Sequence, residues 1–361
     1  MILPEISTGK IFETVFVSFF LCLIIVPIAI RFSHKTNLID FPLSEPHKIH
    51  KRPVPISGGL AFFAALILTA VFLNHRLDSQ TVKVLLCATI IFGFALWDDY
   101  RPLRWRWKML GQILAAIVLY FCGIQVQIMQ TVGEILGFSA TVNDLLDFGI
   151  TIFWMVFITN AFNLVDSMDG LMVGLSLLVL IFFVLAAMDT KQWSLALLCS
   201  AMLGACIVLN FFNSSPAILF FGDSGAQTIG FLIAAIAIIY NPPDRLQTST
   251  WFMPILLLGV PIFDTVLVII SRFRRHLHFY DSGTDHTYHR LVKMGFSDVQ
   301  AVNLMLLAAT ALEILAFFII SRPPLTANLI FFAVVLAGIF LIYFLESENM
   351  WESIRLKKNG D

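Results

Sequence analysis

The chain has 361 residues, of which 58% are hydrophobic and only 13% are charged, and its mean hydropathy is +0.87. So few charged side chains cannot cover the surface of an ordinary soluble protein, so lipid must be the solvent for most of the chain. The formal net charge of −1 carries no information about partners, and no nucleic-acid partner is expected.

Eleven apolar segments are candidates for membrane-spanning helices. The first, from about Ile11 to Ile30, lacks a preceding basic region and a small-residue cleavage site, so we interpret it as a retained span. The predicted fold class is all-α integral membrane, with about eleven transmembrane helices in one polytopic domain, residues 1–345, followed by a tail, residues 346–361. The segments centre near residues 20, 66, 89, 115, 153, 179, 203, 232, 262, 311 and 336.

The Lys and Arg residues are divided unequally between the two alternating sets of loops. With eleven spans, one set holds 17 of the 23 basic residues and the other set holds 6. Because basic residues concentrate on the cytoplasmic side, the N-terminus is predicted to lie outside and the C-terminus in the cytoplasm. An even number of spans would scramble this separation.

Acidic residues collect in three loops on the predicted cytoplasmic side. One loop reads N-A-F-N-L-V-D-S-M-D-G-L (160–171), a second ends F-F-G-D-S-G (220–225), and a third begins with two aspartates. Carboxylates repel one another unless a cation or partner neutralises them, and oxygen ligands suit Mg²⁺, with Mn²⁺ as the alternative. Helix capping would explain any one of them singly. The aspartates are Asp98, Asp99, Asp166, Asp169 and Asp223.

Two further loops supply positive charge. The loop R-F-R-R-H-L-H-F-Y-D-S-G-T-D-H-T-Y-H-R-L (272–291) starts with three arginines that positive-inside anchoring explains. Its last basic residues, His286, His289 and Arg290, are not needed for topology and are predicted to bind phosphate. The segment H-K-I-H-K-R-P-V-P-I-S-G-G (47–59) is a second candidate for anion contact.

Two acids, Asp264 and Glu313, lie inside predicted spans. Intramembrane acids are functional candidates by default. Asp264 lies toward the cytoplasmic half and is a candidate for lining the site, whereas the sequence identifies no partner for Glu313.

Taken in order, the loop motifs resemble those of the polyprenyl-phosphate N-acetylhexosamine-1-phosphate transferases, relatives of phospho-N-acetylmuramoyl-pentapeptide transferase. The resemblance covers about residues 10–320. Residues 48–59 are similar to the family pattern K-x-H-x-x-P-x-P-x-x-G-G, and the aspartate pair is followed, as in the family, by Lys108 and Gln112. The last loop departs from the family's H-I-H-H, because Tyr288 replaces the middle histidine.

The resemblance implies a reaction. N-acetylhexosamine 1-phosphate, with GlcNAc-1-phosphate favoured, would pass from a UDP-sugar to undecaprenyl phosphate, with release of UMP, as the first membrane step of a cell-envelope polysaccharide pathway. The implied partners are UDP-N-acetylhexosamine, undecaprenyl phosphate and the lipid bilayer, with a homodimer left open. The implied location is the bacterial inner membrane, with the active site facing the cytoplasm.

The resemblance also implies a role for each site residue. Asp223 is the first choice for metal ligand, and Asp98 and Asp99 would bind the metal or orient the acceptor phosphate. A role for either as a base is left open, since a phosphate monoester is already largely ionised at pH 7. The implied catalytic residues are Asp98, Asp99, His286 and His289; those implied to bind substrate are Lys51, His50, Asn163, Asp166, Asp169 and Arg290.

Two other functions were weighed against this one. An intramembrane prenyltransferase also uses aspartates and Mg²⁺ on a diphosphate, but its motifs are D-x-x-x-D-like clusters on helices, and it would release inorganic diphosphate. An ion-coupled transporter would favour internal repeats and polar residues at mid-membrane. Here the polar residues collect at one edge, and no repeat is evident.

Overall fold

A computed structural model describes residues 8–42, 52–73, 77–242, 250–278 and 283–347. These residues form fourteen helices and one small antiparallel sheet. The helices are α1 (Thr8–Thr36), α2 (Gly58–Leu73), α3 (Ser79–Tyr100), α4 (Trp105–Phe121), α5 (Met129–Ile135), α6 (Ala140–Val165), α7 (Leu171–Asp189), α8 (Trp193–Asn213), α9 (Gly222–Ile239), α10 (Met253–Leu257), α11 (Gly259–Arg274), α12 (Thr287–Lys293), α13 (Asp298–Ile319) and α14 (Pro324–Glu346); the strands are β1 (Ile39–Asp40) and β2 (Val54–Pro55).

Eight of these helices are long and apolar enough to cross a membrane, namely α1, α3, α6, α7, α8, α9, α13 and α14. The helices α2, α4 and α11 are shorter, with 16, 17 and 16 residues. Each of the eleven centres predicted from hydropathy falls within one of these eleven helices. The prediction of an all-α multi-pass membrane protein is therefore confirmed, while the number of spans and the orientation of the termini stay predictions.

The bundle has an interior and a periphery. In the most apolar stretch of α8 and of α9, 78% of residues are buried, against 11% for α14 and 22% for α1. Helices that are apolar all round but exposed face lipid, because lipid tails are as apolar as their side chains. The helix that carries Asp223, α9, therefore lies at the centre of the bundle.

The first two residues of α2 hold the start of α9. Gly58 N donates to Phe220 O and Gly59 N donates to Phe221 O, each at 2.9 Å. A Cβ atom on Gly59 would lie 2.2 Å from Gly225 N, so only glycine allows this approach. The two glycines that end the 47–59 segment thus serve close packing. The basic residues of that segment at positions 47, 48, 50 and 51 lie outside the described residues.

Candidate active site

One cavity of about 2520 Å³ lies where α3, α4, α6 and α9 meet the segment that contains α12. Most of the predicted site residues within the described part of the chain line this cavity. They are Asp99, Asn163, Asp166, Asp169, Asp223, His286 and His289. Asp98 and Arg290 are not among the lining residues, and the predicted substrate residues His50 and Lys51 lie outside the described residues.

Lys108 joins two of the predicted metal ligands. Its Nζ lies 2.5 Å from Asp98 Oδ2 and 2.9 Å from Asp223 Oδ2. The other oxygen of the buried Asp98 accepts a hydrogen bond from Leu103 N at 2.6 Å. Both Asp98 oxygens are therefore engaged within the protein, and this aspartate acts on the cavity by holding the Lys108 ammonium.

Asp99 holds the beginning of α9. Its Oδ1 accepts a hydrogen bond from Asp223 N at 2.7 Å, and its Oδ2 accepts one from Ser224 N at 3.0 Å. The first N–H groups of a helix lack partners within the helix, and a carboxylate both satisfies them and favours the positive end of the helix dipole. Asp99 thus fixes the backbone from which the Asp223 side chain projects.

The metal role of Asp98, Asp99 and Asp223 stays a prediction. Within the described residues, no group of three or more His, Cys, Asp or Glu side chains is arranged to hold a metal ion. The oxygens of Asp98 and Asp99 contact protein donors, and Asp223 Oδ2 contacts Lys108 Nζ. Mg²⁺ prefers one or two carboxylates plus substrate phosphates, so a metal site here would be completed by the substrate.

Asp166 and Asn163 complete the surroundings of Asp223. The side chain of Asn163 lies beside the Asp223 carboxylate. Burial raises the pKa of Asp166 well above its ordinary value, and the charges of Asp223, Asp99 and Asp169 raise it further. A cation that entered this part of the cavity would relieve that repulsion, so the residues fit a divalent ion bound together with a phosphorylated substrate.

Asp169 is used partly in joining two loops. Its Oδ2 accepts a hydrogen bond from Ala217 N at 3.0 Å. Nearby, the buried Asn213 accepts one from Gly170 N and donates one to Leu219 O, both at 3.0 Å. The loop with the residues predicted to bind substrate, Asn163, Asp166 and Asp169, is therefore tied to the loop that leads to α9.

The intramembrane acid Asp264 has a defined partner in His286, which lines the cavity. Its Oδ2 lies 2.8 Å from His286 Nδ1, and its Oδ1 accepts a hydrogen bond from Thr287 N at 2.6 Å. A carboxylate on one ring nitrogen fixes the tautomer and leaves the other nitrogen for a ligand. The predicted site residue His286 is thus oriented with Nε2 available to the cavity that it lines.

Tyr288, the departure from the family motif, is buried beside His289. Its hydroxyl oxygen lies 2.9 Å from His289 Nε2 and 3.4 Å from Ser167 O, so it connects α12 to the loop after α6. Burial lowers the pKa of His289 to about 4, with contributions from the charges of His286 and Lys293. His289 is therefore neutral at pH 7, and any contact that it makes with phosphate is a hydrogen bond and not an ion pair.

The expected phosphate contact of Arg290 is not supported. Its guanidinium donates to Asp285 O at 3.1 Å, Leu345 O at 2.6 Å, Ser271 Oγ at 3.0 Å and Glu346 Oε1 at 2.6 Å. The side chain is buried and outside the cavity lining. Arg290 instead fastens α12 to the end of α14. Glu346, an acid at the end of an apolar span, was the sequence signal for this role.

Sequence reasoning also missed Lys108, which entered only as a letter of the family pattern. Lys108 lines the cavity, and its ammonium lies between two carboxylates that are 125 residues apart in the chain. The sequence signal for this role is a basic residue shortly after the Asp98–Asp99 pair. Three arginines lie closer to that pair than Lys108 does, so the signal does not single out the lysine.

The chain is similar to known proteins over most of its length. Residues 81–241 match the family described as glycosyl transferase family 4. The chain is 29% identical over 331 residues to a probable undecaprenyl-phosphate N-acetylglucosaminyl 1-phosphate transferase of Bacillus subtilis. The aligned region covers 89% of this chain and 88% of that protein.

Two further relatives have related names. A decaprenyl-phosphate N-acetylglucosaminephosphotransferase of Mycobacterium tuberculosis is 29% identical over 323 residues, 81% of this chain and 78% of that protein. A phospho-N-acetylmuramoyl-pentapeptide-transferase of Geobacillus is 28% identical over 273 residues, 71% of this chain and 81% of that protein. The resemblance predicted from the loop motifs is thereby confirmed by the family match and by the named relatives.

Proposed function

We propose that this protein transfers N-acetylglucosamine 1-phosphate from UDP-GlcNAc to undecaprenyl phosphate and releases UMP. The observation that carries the proposal is the Lys108–Asp223 pair at the head of a cavity that continues into the bundle. The choice of sugar rests on the names of the Bacillus subtilis and Mycobacterium tuberculosis relatives, which both specify N-acetylglucosamine.

The acceptor lipid lies in the apolar part of the cavity. Ile113 and Ile117 of α4 and Ile152 and Val156 of α6 line this part. An apolar groove between two helices takes a polyprenyl chain without removing it from an apolar environment. The chain's phosphate then reaches Lys108, whose ammonium neutralises it and orients it for attack.

The donor diphosphate lies between the carboxylates and His286. Mg²⁺, held by Asp223 and by Asp166 in its ionised form, would neutralise the diphosphate oxygens and make UMP a better leaving group. His286 contacts the diphosphate through Nε2, because its Nδ1 is held by the Asp264 carboxylate at 2.8 Å. Asn163 and Asp169 lie on the adjacent loop, where uridine or sugar is bound.

The chemical step is a single displacement at phosphorus. An oxygen of the acceptor phosphate attacks the β-phosphorus of the UDP-sugar, and the bond from that phosphorus to the bridging oxygen breaks as UMP leaves. Catalysis of phosphoryl transfer consists mostly of positioning and charge neutralisation. The acceptor phosphate is ionised at neutral pH, so the residues of the site need only hold charge and geometry.

The site faces the cytoplasm, where UDP-sugars are made, and the protein lies in the bacterial inner membrane. The excess of Lys and Arg in the loops on the cavity's side of the membrane supports this orientation. The lipid-linked sugar diphosphate would then begin a cell-envelope polysaccharide.

The test uses the purified full-length protein in detergent with undecaprenyl phosphate and a panel of UDP-sugars. We expect UMP release only when both substrates are present, with UDP-GlcNAc fastest, loss of release in EDTA and recovery with Mg²⁺. Release of inorganic diphosphate from a prenyl diphosphate would instead support the prenyltransferase and contradict the proposal. UMP release that is unchanged by EDTA would contradict the proposed metal requirement.

A further inference from the structure

Two layers of polar side chains lie one below the other on α4, α6 and α9. The upper layer is the charged site described above, with Lys108, Asn163 and Asp223. The helix α6 runs opposite to α4 and α9. Four residues forward in α4 and α9, or three residues back in α6, therefore lead deeper into the bundle by roughly 4.5–6 Å. Three amide side chains occupy those positions: Gln112, Asn160 and Gln227.

The three amides form one connected network. Gln112 Nε2 donates to Gln227 Oε1 at 3.0 Å and to Asn160 Oδ1 at 3.2 Å. In return, Asn160 Nδ2 donates to Gln112 Oε1 at 2.6 Å. Both glutamines are only 2% exposed, and the half-buried Asn160 lines the cavity. Each helix that supplies a residue to the charged layer thus also supplies one to the amide layer.

The network restricts how the three helices are rotated. A shift of one residue along an α-helix turns a side chain by about 100°, which would withdraw an amide from its partners. A buried amide without a hydrogen bond is costly, so such a shift is opposed. The backbones of α6 and α9 also meet closely here, since a Cβ atom on Gly230 would lie 2.9 Å from Phe162 Cβ.

One donor of the network is left over. Within the described residues, Gln227 Nε2 is buried and has no hydrogen-bond partner. An apolar side chain of similar volume at this position would avoid that cost, so stability alone does not account for a glutamine here. A role in fixing the relative rotation of the three helices does account for a glutamine at position 227.

We propose that Gln112, Asn160 and Gln227 are positioning residues that set the rotation of α4, α6 and α9, so that Lys108, Asn163 and Asp223 converge on the substrate phosphates. The inference rests on the proposed function, because the effect of positioning is read as turnover. A displacement of about 1 Å at a catalytic group costs on the order of 100-fold in rate.

The first test is Gln227→Leu, with Thr228→Val as the matched control. Thr228 is the next residue on α9, is fully buried, and its hydroxyl has no partner within the described residues. We expect kcat for UMP release to fall about 10- to 100-fold in Gln227→Leu, with KM for the UDP-sugar within about twofold. The control should keep kcat and KM within about twofold.

The second test separates positioning from stability. The triple variant Gln112→Leu, Asn160→Leu, Gln227→Leu leaves no amide unpaired, so its thermal midpoint should equal or exceed that of Gln227→Leu. Its kcat should nevertheless stay low.

Three outcomes would overturn the inference: wild-type kcat in Gln227→Leu, an equal loss in Thr228→Val, or recovery of kcat in the triple variant. If the wild type releases no UMP, the proposed function fails instead, so the two failures are distinguishable.

Discussion

Two groups of residues at the cavity use their charges differently. In the first, which we term the acid wall, Asp98 and Asp223 contact the ammonium of Lys108, and Asp99 and Asp166 lie near Asp223. In the second, the histidine wall, Asp264 is paired with His286, and Asp285 lies between Arg272 and Arg275 at 3.4 and 2.7 Å. Negative charge is in excess on the first wall and paired on the second.

This difference indicates a separate function for each wall. Excess carboxylate attracts a cation that arrives with the substrate, so the acid wall is where metal and phosphate belong. Paired carboxylates orient the side chains that they hold, so the histidine wall presents shaped hydrogen-bonding groups. Substitutions on the acid wall should therefore abolish turnover, whereas those on the histidine wall should reduce it or change stability.

The largest effect is expected from Asp223→Asn. Loss of the carboxylate charge should reduce UMP release by roughly 10³-fold, as expected when a group that stabilises charge in the transition state is removed. The fold should survive, because the bond from the backbone N–H of residue 223 to Asp99 does not need the side chain. Normal turnover of this variant in detergent with Mg²⁺ would contradict the metal role.

A smaller effect is expected from Asp264→Asn. The asparagine would still accept the bond from Thr287 N, but its amide would face His286 Nδ1 and reverse the tautomer. We expect kcat to fall about 100-fold. In a His286→Gln background, the same change should add less than about twofold. An equal fold loss in both backgrounds would show that Asp264 does not act through His286.

Arg290→Met should affect stability and not substrate binding. Breaking a buried ion pair by removing one partner costs about 3–5 kcal/mol, so the thermal midpoint should fall clearly. KM for the UDP-sugar should stay within about twofold. The double variant Arg290→Met, Glu346→Leu removes both charges and should regain part of the lost stability. A tenfold rise in KM with an unchanged thermal midpoint would instead show that Arg290 binds substrate.

The smallest effect is the pH dependence contributed by His289. Its pKa is about 4 in the folded protein and about 6.5 when unfolded, so the unfolded chain binds more protons between these values. The stability contributed by neutral His289 is complete above about pH 6.5 and is lost as the pH falls toward 4. From pH 7 to pH 5, the thermal midpoint of the wild type should therefore fall more than that of His289→Gln. Parallel curves would contradict the lowered pKa.

The positions of the spans and the convergence of the aspartates were predictable from the sequence. Apolar runs place every predicted span centre within a helix, because burial in lipid requires long apolar segments. The scattered aspartates were expected to converge, and they do, since Asp99 contacts the start of α9 across 124 residues of chain. Hydropathy and charge patterns are local signals, and both predictions depended on them.

Pairings across the bundle were not predictable. Whether Asp99 binds a metal or caps a helix depends on which backbone N–H groups lie near its oxygens, and its motif does not encode that. Arg290 meets Glu346, 56 residues away, and Gln112 meets Gln227, 115 residues away. Glu313, for which the sequence identified no partner, is buried with Oε1 unbonded within the described residues.

The docked end of α14 has a practical consequence for altered forms of the protein. Along most of its length α14 buries few side chains, and its final residue, Glu346, meets Arg290 and Arg274 at 2.6 and 3.0 Å. A chain terminated just before that residue would retain all the motifs and nearly all of the last span, yet it would strand a buried guanidinium beside the histidine-bearing helix. Premature stop codons and fusion junctions at this point should therefore be more harmful than their distance in sequence from the motifs suggests.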